Sequence, residues 1–267
     1  MRLTMVVHER RPQAGAVAQH FREGCLQRGI EVVDQDAEHV DAVIAIGGDG
    51  TVLRAARIAL ESGAALLGVN VGRKGFLADV EPTGLPDALD VLASGVWRES
   101  ARMTIQARMN AGEAAVGIND VVVEKTGGHS IISIEVRVNG ERFIDYHADG
   151  LVFATPTGST AYNLSAGGPL MDPEVEALIM SPVAPHSLFS KSVILHPDTE
   201  IRCTVVADRP AGVSVDGRDL GTAYNGDMII IERGFAQVRF IDISGTSFPR
   251  RVKDKFHLNE DRRSVSG

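Results

Sequence analysis

Cysteine is scarce in this 267-residue sequence, which contains only Cys25 and Cys203. The two residues form no CxxC pair and stand in no cluster of cysteine and histidine, so the sequence predicts neither a disulfide framework nor a zinc site. We expect both to be buried thiols in the reducing environment of the cytoplasm.

Long apolar runs and an excess of positive charge are also missing. No run reaches the length that crosses a membrane, and the apolar run within MRLTMVVHER is too short for a signal peptide. Lysine and arginine number 27 against 35 aspartates and glutamates, which gives a formal net charge of -8, and no basic tract occurs. We therefore expect a cytoplasmic protein that has neither a membrane nor a nucleic acid as its partner.

Two common nucleotide-binding signatures are missing as well. The sequence contains no GxxxxGK[ST] motif, which excludes a P-loop. It also has no GxGxxG after its first predicted strand, which excludes a dinucleotide site of that kind. Any nucleotide chemistry must therefore come from other motifs.

The first hundred residues alternate short apolar runs with helical patterns. The runs LTMVV, IEVV, AVIAI and ALLGV predict strands, and helices are predicted over about 12–28, after Asp49 and near 85–92. This alternation is typical of an α/β domain with an open parallel sheet. We assign residues 1–96 to it.

After Trp97 the pattern changes to runs rich in β-branched residues, many of which alternate between polar and apolar positions. The pair Asn139-Gly140 lies between two such runs and is a strong hairpin signal. We predict a second, mainly antiparallel β domain over residues 97–246, with AQVRFIDI as one of its strands. A basic, helical tail over 247–267 is expected to pack back against the first domain.

The pentapeptide GGDGT at 47–51 joins the apolar strand AVIAI to a predicted helix. Ligands bind at the carboxyl ends of strands in open parallel sheets, and a helix N-terminus suits an anionic group. Arg54, one turn into the helix, adds a cation. The alternative is that Asp49 and Thr51 only cap the helix. The candidate phosphate-binding residues are Gly47, Gly48, Gly50 and Thr51.

A second stretch, HADGLVFATPTGSTAYNLSAGGP at 147–169, contains a strand that leads into a dense series of Gly, Ser, Thr, Pro and Asn. Such a loop offers small hydroxyls, backbone donors and one aromatic ring, Tyr162, as a purine pocket needs. A purely structural loop is the simpler alternative.

Two shorter motifs each have two interpretations. Asn119 and Asp120 open the strand VVVE, where they either bond sugar hydroxyls or a base edge, or end a turn by bonding their own backbone. Asp216 in VDGR either contacts a ligand or belongs to a plain Asp-Gly turn.

Taken together, these segments resemble the NAD kinase family. The matching motifs are GGDGT at 47–51, NVGRKGFL at 70–77, ND at 119–120, DGLVFATPTGSTAYNLSAGGP at 149–169, SPVAPHSL at 181–188 and VDG at 215–217. The resemblance implies transfer of the γ-phosphoryl group of ATP to the 2′-hydroxyl of the adenosine ribose of NAD, giving NADP. It also implies a Rossmann-like first domain, a β-sandwich second domain, and assembly as a homodimer or homotetramer.

The resemblance also assigns roles to individual residues. The aspartate of GGDG is the proton acceptor in that family, and here it is Asp49. Mg²⁺ or another divalent cation would accompany ATP, carried mostly by phosphates and water, so no side chain is assigned to a metal. Asp120 stands where glutamate is usual, so its carboxylate is one methylene shorter. The implied NAD-binding set is Asp49, Gly50, Arg54, Asn119, Asp120, His147, Asp149, Thr160, Ala161, Tyr162, Asn163, Leu164, Ser165 and, from a neighbouring subunit, Ala184.

Two other functions fit some of the same motifs. One is a kinase with the GGDG motif that acts on another hydroxyl, such as that of a lipid or a sugar. The other is a module that binds a dinucleotide as a sensor and does not turn it over.

Overall fold

The computed structural model describes residues 1–128, 131–187, 189–206 and 209–258. These residues form two compact units. The first unit consists of Met1–Ala101 with the described residues from Val238 on, and the second of Arg102–Gln237. No helix within these ranges combines the length and the apolar character that a membrane span requires.

The elements of the first hundred residues alternate as the sequence predicts. Two of the helices, α2 and α3, end at left-handed glycines, Gly63 and Gly95, a conformation that costs glycine little. A 3-10 turn at Pro82–Gly84 precedes α3. In chain order the elements are β1 (Arg2–Val7), α1 (Pro12–Gln27), β2 (Glu31–Val33), β3 (Ala42–Gly47), α2 (Asp49–Ser62), β4 (Ala65–Asn70), α3 (Leu85–Ser94) and β5 (Arg98–Arg102).

The rest of the described chain is mainly β-structure. A 3-10 turn at Thr157–Thr160 precedes the short helix α4. The elements are β6 (Ile105–Met109), β7 (Ala115–Gly117), β8 (Asp120–Lys125), β9 (Ile132–Val138), β10 (Glu141–Ala148), β11 (Gly150–Ala154), α4 (Tyr162–Ser165), β12 (Leu178–Val183), β13 (Val193–Leu195), β14 (Ile201–Val205), β15 (Ala211–Val215), β16 (Arg218–Ala223), β17 (Met228–Arg233), β18 (Val238–Asp242) and α5 (Phe248–Lys255).

The first unit contains one six-stranded sheet in the order β2-β1-β3-β4-β18-β5. The pairs from β2 to β18 are parallel, and every residue of β3 and β4 is buried. Side chains of α1 and α3, among them Phe21 and Leu92, share a core with the inward residues of these strands. The predicted α/β domain with a parallel sheet is confirmed.

The strand β18 differs from the prediction that placed AQVRFIDI in the second domain. It pairs in parallel with β4, where Phe240 lies opposite Leu66, and Ile241 belongs to the core of the first unit. Alternating apolar residues show that a strand is half-buried, but they do not show which sheet it joins. The first unit therefore runs to Ala101 and resumes at Val238, whereas the predicted limits were 96 and 247.

The second unit contains two antiparallel sheets, in the orders β10-β9-β14-β17-β6-β7 and β13-β12-β11-β8-β15-β16. Inward residues of both sheets, such as Val136 and Phe153, form one core, which confirms the predicted β-sandwich. Asn139 and Gly140 both have positive φ and join β9 to β10, as the hairpin signal predicts.

Both cysteines are buried and free, as expected. Cys25 lies in the core of the first unit and Cys203 in the core of the second. Burial raises the pKa of the Cys25 thiol to about 11, so this thiol stays protonated at neutral pH.

The outer face of the second sheet of the sandwich is also covered. Val122, Val152 and Ile179 point away from the main core and pack against Ala166 of the glycine-rich loop and Met171 just after it. Strands buried on both faces need nearly continuous apolar sequence, which explains VVV in β8 and LVFA in β11. This packing holds the predicted dinucleotide loop against β8, β11 and β12.

Candidate active site

Asp49 lies at the first position of α2, directly beyond the carboxyl end of β3. The N-cap is Gly48, and no side chain caps this helix, so the capping interpretation of Asp49 and Thr51 is wrong. Instead, Asp49 Oδ2 accepts a hydrogen bond from the backbone N–H of Phe76, and Oδ1 accepts one from that of Leu77, both at 3.1 Å. Each carboxylate oxygen has a second lone pair that these bonds leave available.

Glycine is needed where the Asp49 carboxylate meets the segment at 75–77. A Cβ added to Gly75 would lie 2.1 Å from Asp49 Oδ1, so any larger residue would push the carboxylate away. Similarly, a Cβ on Gly47 would lie 2.3 Å from Thr51 Oγ1. These two glycines therefore serve close packing between β3, α2 and the loop that follows β4.

A cavity of about 460 Å³ opens beside Asp49 in the first unit. Arg54 is one of its lining residues, but its guanidinium donates to Glu9 Oε1 at 3.0 Å and to the Val7 carbonyl at 3.2 Å. The predicted cation is thus partly neutralised by Glu9. All predicted phosphate-binding residues line the cavity except Gly47, which is buried. The lining residues are His8, Glu9, Arg10, Arg11, Gly48, Asp49, Gly50, Thr51 and Arg54.

In the second unit, the carboxyl groups of the buried Asp120 and the partly buried Asp216 meet where β8 begins. Asp216 lies in the β15–β16 turn with φ of 50° and accepts backbone N–H bonds from Ile118, Asn119 and Asp120 at 2.8, 2.8 and 3.1 Å. Asp120 is 6% exposed. Burial and the charge of the nearby Asp216 raise its pKa to about 7, although a hydrogen bond from the backbone N–H of Tyr162 acts to lower it. Burial likewise raises the pKa of Asp216, although its three backbone hydrogen bonds oppose the change.

The turn interpretation of Asp216 is confirmed, and its contact with a ligand stays a prediction. Asp216 and Gly217 both have positive φ and form a tight hairpin turn. The carboxylate of the same turn also fixes the backbone of the ND motif, a role that the Asp-Gly pair alone does not indicate. The backbone of Asn119 is further fixed by Thr155, whose N–H donates to the Asn119 carbonyl at 2.9 Å.

Asn163 organises the glycine-rich loop from within. It is fully buried, its Nδ2 donates to the carbonyls of Ser159 and Pro169, and its Oδ1 accepts from Ser181 Oγ at 2.7 Å. A side chain with these partners faces the loop and β12. Asn163 is one of the predicted dinucleotide contacts. Because its side chain is fully buried, its observed role is to shape the loop.

Tyr162 lies along β8 and is 36% exposed. Its N–H bonds the Asp120 carboxyl, and its hydroxyl donates to Glu124 Oε2 at 3.4 Å. Burial and the charge of Glu124 raise the pKa of the Tyr162 hydroxyl. The ring is thus held between residues of one face of β8, with part of its surface open to a ligand.

The remaining predicted residues of the second unit lie around this loop and beyond the far end of β8. Asp149 Oδ1 accepts from Lys125 Nζ at 2.7 Å, and His147 Nδ1 lies 2.8 Å from Ser133 Oγ. Thr160 donates to the Thr157 carbonyl at 3.1 Å. Ala161 is the N-cap residue of α4, and Leu164 and Ser165 lie within this helix.

Ala184, which follows β12, is exposed and has φ of 44°. This conformation is unfavourable for a residue with a Cβ, and Pro185 restricts it further. Such strain is often found at functional sites.

Several site residues were missed by sequence reasoning. Phe76 and Leu77 hold Asp49 through backbone N–H groups, which carry no side-chain signal, although NVGRKGFL was identified as a motif. Lys125 and Glu124 end an ordinary strand pattern, and only the fold brings them to Asp149 and Tyr162. Within the described ranges, no three residues among His, Cys, Asp and Glu are grouped so as to hold a metal ion.

Comparisons with known proteins agree on one family. The model of the ATP-NAD kinase N-terminal domain matches residues 4–96, and that of the ATP-NAD kinase C-terminal domain matches residues 118–243. An NAD kinase of Moorella thermoacetica is 36% identical over 236 residues, which cover 87% of this chain and 75% of that protein.

Solved structures share the fold of the chain. Yeast NADH kinase complexed with NADH aligns with a TM-score of 0.90 at 20% identity, covering 100% of this chain and 90% of that one. An NAD kinase from Archaeoglobus fulgidus in complex with ATP aligns with a TM-score of 0.78 at 23% identity, covering 96% of this chain and 98% of that one.

Proposed function

Because this chain belongs to the NAD kinase family and phosphorylates NAD, we propose that Asp49 accepts the proton of the adenosine ribose 2′-hydroxyl during phosphoryl transfer. The observation that carries the proposal is the position of its carboxylate. Asp49 lines a cavity at a helix N-terminus, and its two oxygens are held by N–H groups that leave a lone pair on each.

The reaction converts NAD and ATP into NADP and ADP. The 2′-oxygen forms a bond to the γ-phosphorus as the bond from that phosphorus to the bridging oxygen of ADP breaks, and the hydroxyl proton passes to Asp49 Oδ. Such transition states are largely dissociative, so the protein contributes mainly positioning and charge balance. A carboxylate that orients the hydroxyl early and takes its proton late fits that requirement.

The donor in this proposal is ATP, with a divalent cation as part of that substrate. The description of both matching domains as ATP-NAD kinase supports this choice, as does the Archaeoglobus fulgidus relative in complex with ATP. Gly48, Gly50 and Thr51 at the start of α2 suit phosphate oxygens, and Arg10 and Arg11 line the same cavity. Magnesium prefers phosphate and water ligands in such complexes.

The dinucleotide is proposed to bind along β8 of the second unit. The partly exposed ring of Tyr162 offers a surface for the purine, and Asn119 and Asp120 offer groups that bond hydroxyls or a base edge. The other members of the proposed set in this unit are His147, Asp149, Thr160, Ala161, Leu164 and Ser165. Asn163 supports the loop from inside.

A homodimer or homotetramer is also proposed, in which Ala184 reaches the dinucleotide of a neighbouring copy. Its exposure and its strained φ of 44° support a functional role for this residue. Measuring the molar mass in solution by light scattering tests the assembly, and a monomer at working concentration contradicts it.

The test of the proton acceptor is an assay of NADP formation by the purified protein with magnesium-ATP and NAD. Asp49→Asn should lower kcat by about 100-fold or more, while the Kd for NAD stays within several-fold, because proton acceptance acts in the transition state. Near-normal turnover of this variant would remove Asp49 from the chemistry. Wild-type protein that binds NAD but forms no NADP would instead indicate a dinucleotide sensor. Repeating the assay with NADH in place of NAD shows whether the reduced form is also accepted.

A further inference from the structure

The segment between β4 and α3 at residues 71–79, called here the Asp49-holding loop, has little regular structure of its own. Its N–H groups at Phe76 and Leu77 fix the Asp49 carboxylate, so the position of the carboxylate depends on the position of the loop. At the start of this loop, Arg11 Nη1 donates to the Val71 carbonyl at 2.5 Å. Backbone N–H groups of Val71 and Asp79 also bond the carbonyls of Gly47 and Gly68, and further supports come from the chain after β18.

The end of the Asp49-holding loop is fastened at Asp79. Its two carboxylate oxygens accept from the N–H groups of Ile243 and Ser244, from Ser244 Oγ at 2.6 Å and from Arg251 Nη2 at 2.6 Å. Burial works to raise the pKa of Asp79, but the hydrogen bonds from Ser244 and the charge of Arg251 outweigh it, and the pKa is lowered. Asp79 therefore remains an ionised anchor at neutral pH.

The middle of the same loop is covered by the last turn of α5 and the residue after it. Lys255 Nζ donates to the Lys74 carbonyl at 2.6 Å and lies 5.9 Å from the centre of the Phe76 ring. Phe256 packs on Phe76 with ring centres 6.0 Å apart. Thus the residue that donates an N–H to Asp49 Oδ2 has its own side chain held by α5 and Phe256.

We propose that α5 and Phe256 position Asp49 for catalysis by fixing the Asp49-holding loop, with Lys255 and Phe256 as positioning residues. This inference rests on the proposed role of Asp49 as proton acceptor. Neither residue is assigned a contact with substrate. Phe256 acts through the Phe76 ring, and Lys255 acts through that ring and the Lys74 carbonyl. Loosening the loop should misplace the carboxylate without altering the dinucleotide-binding residues of the second unit.

The experiment is a double-mutant cycle that combines Phe256→Ala with Asp49→Asn in the full-length chain. Phe256→Ala alone should lower kcat by about tenfold, with KM for NAD within about twofold, because a small misplacement of a reacting group is costly. In the Asp49→Asn background the same change should have little further effect, since the group it positions has lost its function. A role in stability alone would lower activity equally in both backgrounds.

Three further variants keep the outcomes separate. Phe235→Ala removes a phenylalanine that is 79% exposed in the second unit and should leave kcat unchanged. Lys255→Ala should repeat the effect of Phe256→Ala, and it replaces that variant if the latter does not fold. Phe256→Leu should restore part of kcat by refilling the space on Phe76.

Each result decides a different claim. Wild-type protein that forms no NADP overturns the proposed function itself. If the wild type is active and kcat is unchanged in Phe256→Ala and Lys255→Ala, the positioning role of α5 is overturned. The same holds if Phe256→Ala lowers kcat by the same factor with and without the Asp49 carboxylate.

Discussion

At the scale of single residues, the site depends on an interaction that no side-chain pattern reveals. Asp49 was identified from its place in GGDGT, but its partners are the N–H groups of Phe76 and Leu77. The contact is possible because residue 75 is glycine. The carboxylate proposed as proton acceptor and a glycine distant in sequence therefore form one structural arrangement.

The variant Gly75→Ala tests this arrangement. Gly75 does not have positive φ, so alanine is compatible with the backbone, and the effect comes from its Cβ, which would lie 2.1 Å from Asp49 Oδ1. We expect kcat to fall by roughly 10- to 100-fold while the Kd for NAD changes little. Steady-state kinetics and NAD titration measure the two quantities.

The matched control for that variant is Gly15→Ala in α1. An added Cβ at Gly15 meets no atom within 4 Å, so kcat should remain at the wild-type value. Equal kinetics for Gly75→Ala and Gly15→Ala would mean that the Asp49 contact has no part in catalysis.

At the scale of elements, the turn between β15 and β16 meets the beginning of β8 and places two carboxyl groups together. The pKa of Asp120 is about 7 in the folded chain, compared with an ordinary value of 3.8, mainly because of burial. A raised pKa means that the folded chain favours the protonated carboxyl. Its contribution to stability is complete below the ordinary pKa and is lost as the pH rises through about 7.

We therefore expect the free energy of unfolding of the wild type to fall as the pH rises from 4 to 7. This fall should be absent in Asp120→Asn. At pH 8 the variant should be more stable than the wild type, on the order of 2 kcal/mol, since it cannot ionise. Urea unfolding of both proteins from pH 4 to pH 8 measures the difference. The control Asp36→Asn changes an exposed carboxyl group and should leave the pH dependence of the unfolding free energy as in the wild type. If that pH dependence is the same in Asp120→Asn and wild type, the raised pKa does not belong to Asp120.

Elements were also the level at which sequence reasoning succeeded best. The sequence pattern located α1, α2 and α3 and the buried strands of the first unit. Buried positions repeat about every 3.6 residues in a helix, whereas a buried strand is a short apolar run. The pattern did not assign β18 to its sheet, because pairing with β4 is a long-range choice that a five-residue run does not encode. For the same reason the contacts Lys125–Asp149 and Asp216–Asn119 could not be predicted.

At the scale of the whole molecule, each unit has its own hydrophobic core, and the proposed dinucleotide contacts of β8 belong to the second. A ligand that binds the folded chain alone stabilises it in proportion to the logarithm of its concentration over Kd. NAD at a hundredfold excess over Kd should therefore add about 2.7 kcal/mol to the stability of the folded state that binds it.

This linkage gives a test of the Tyr162 surface that is independent of turnover. Thermal unfolding with and without NAD should show an increase of a few degrees in Tm for wild-type protein and a clearly smaller increase for Tyr162→Ala at the same NAD concentration, because the ring contributes to affinity. Tyr224→Ala is the matched control, since Tyr224 is 62% exposed in the same unit and should retain the full increase. If Tyr162→Ala and Tyr224→Ala respond to NAD alike, the purine does not lie on Tyr162, and other groups hold the dinucleotide.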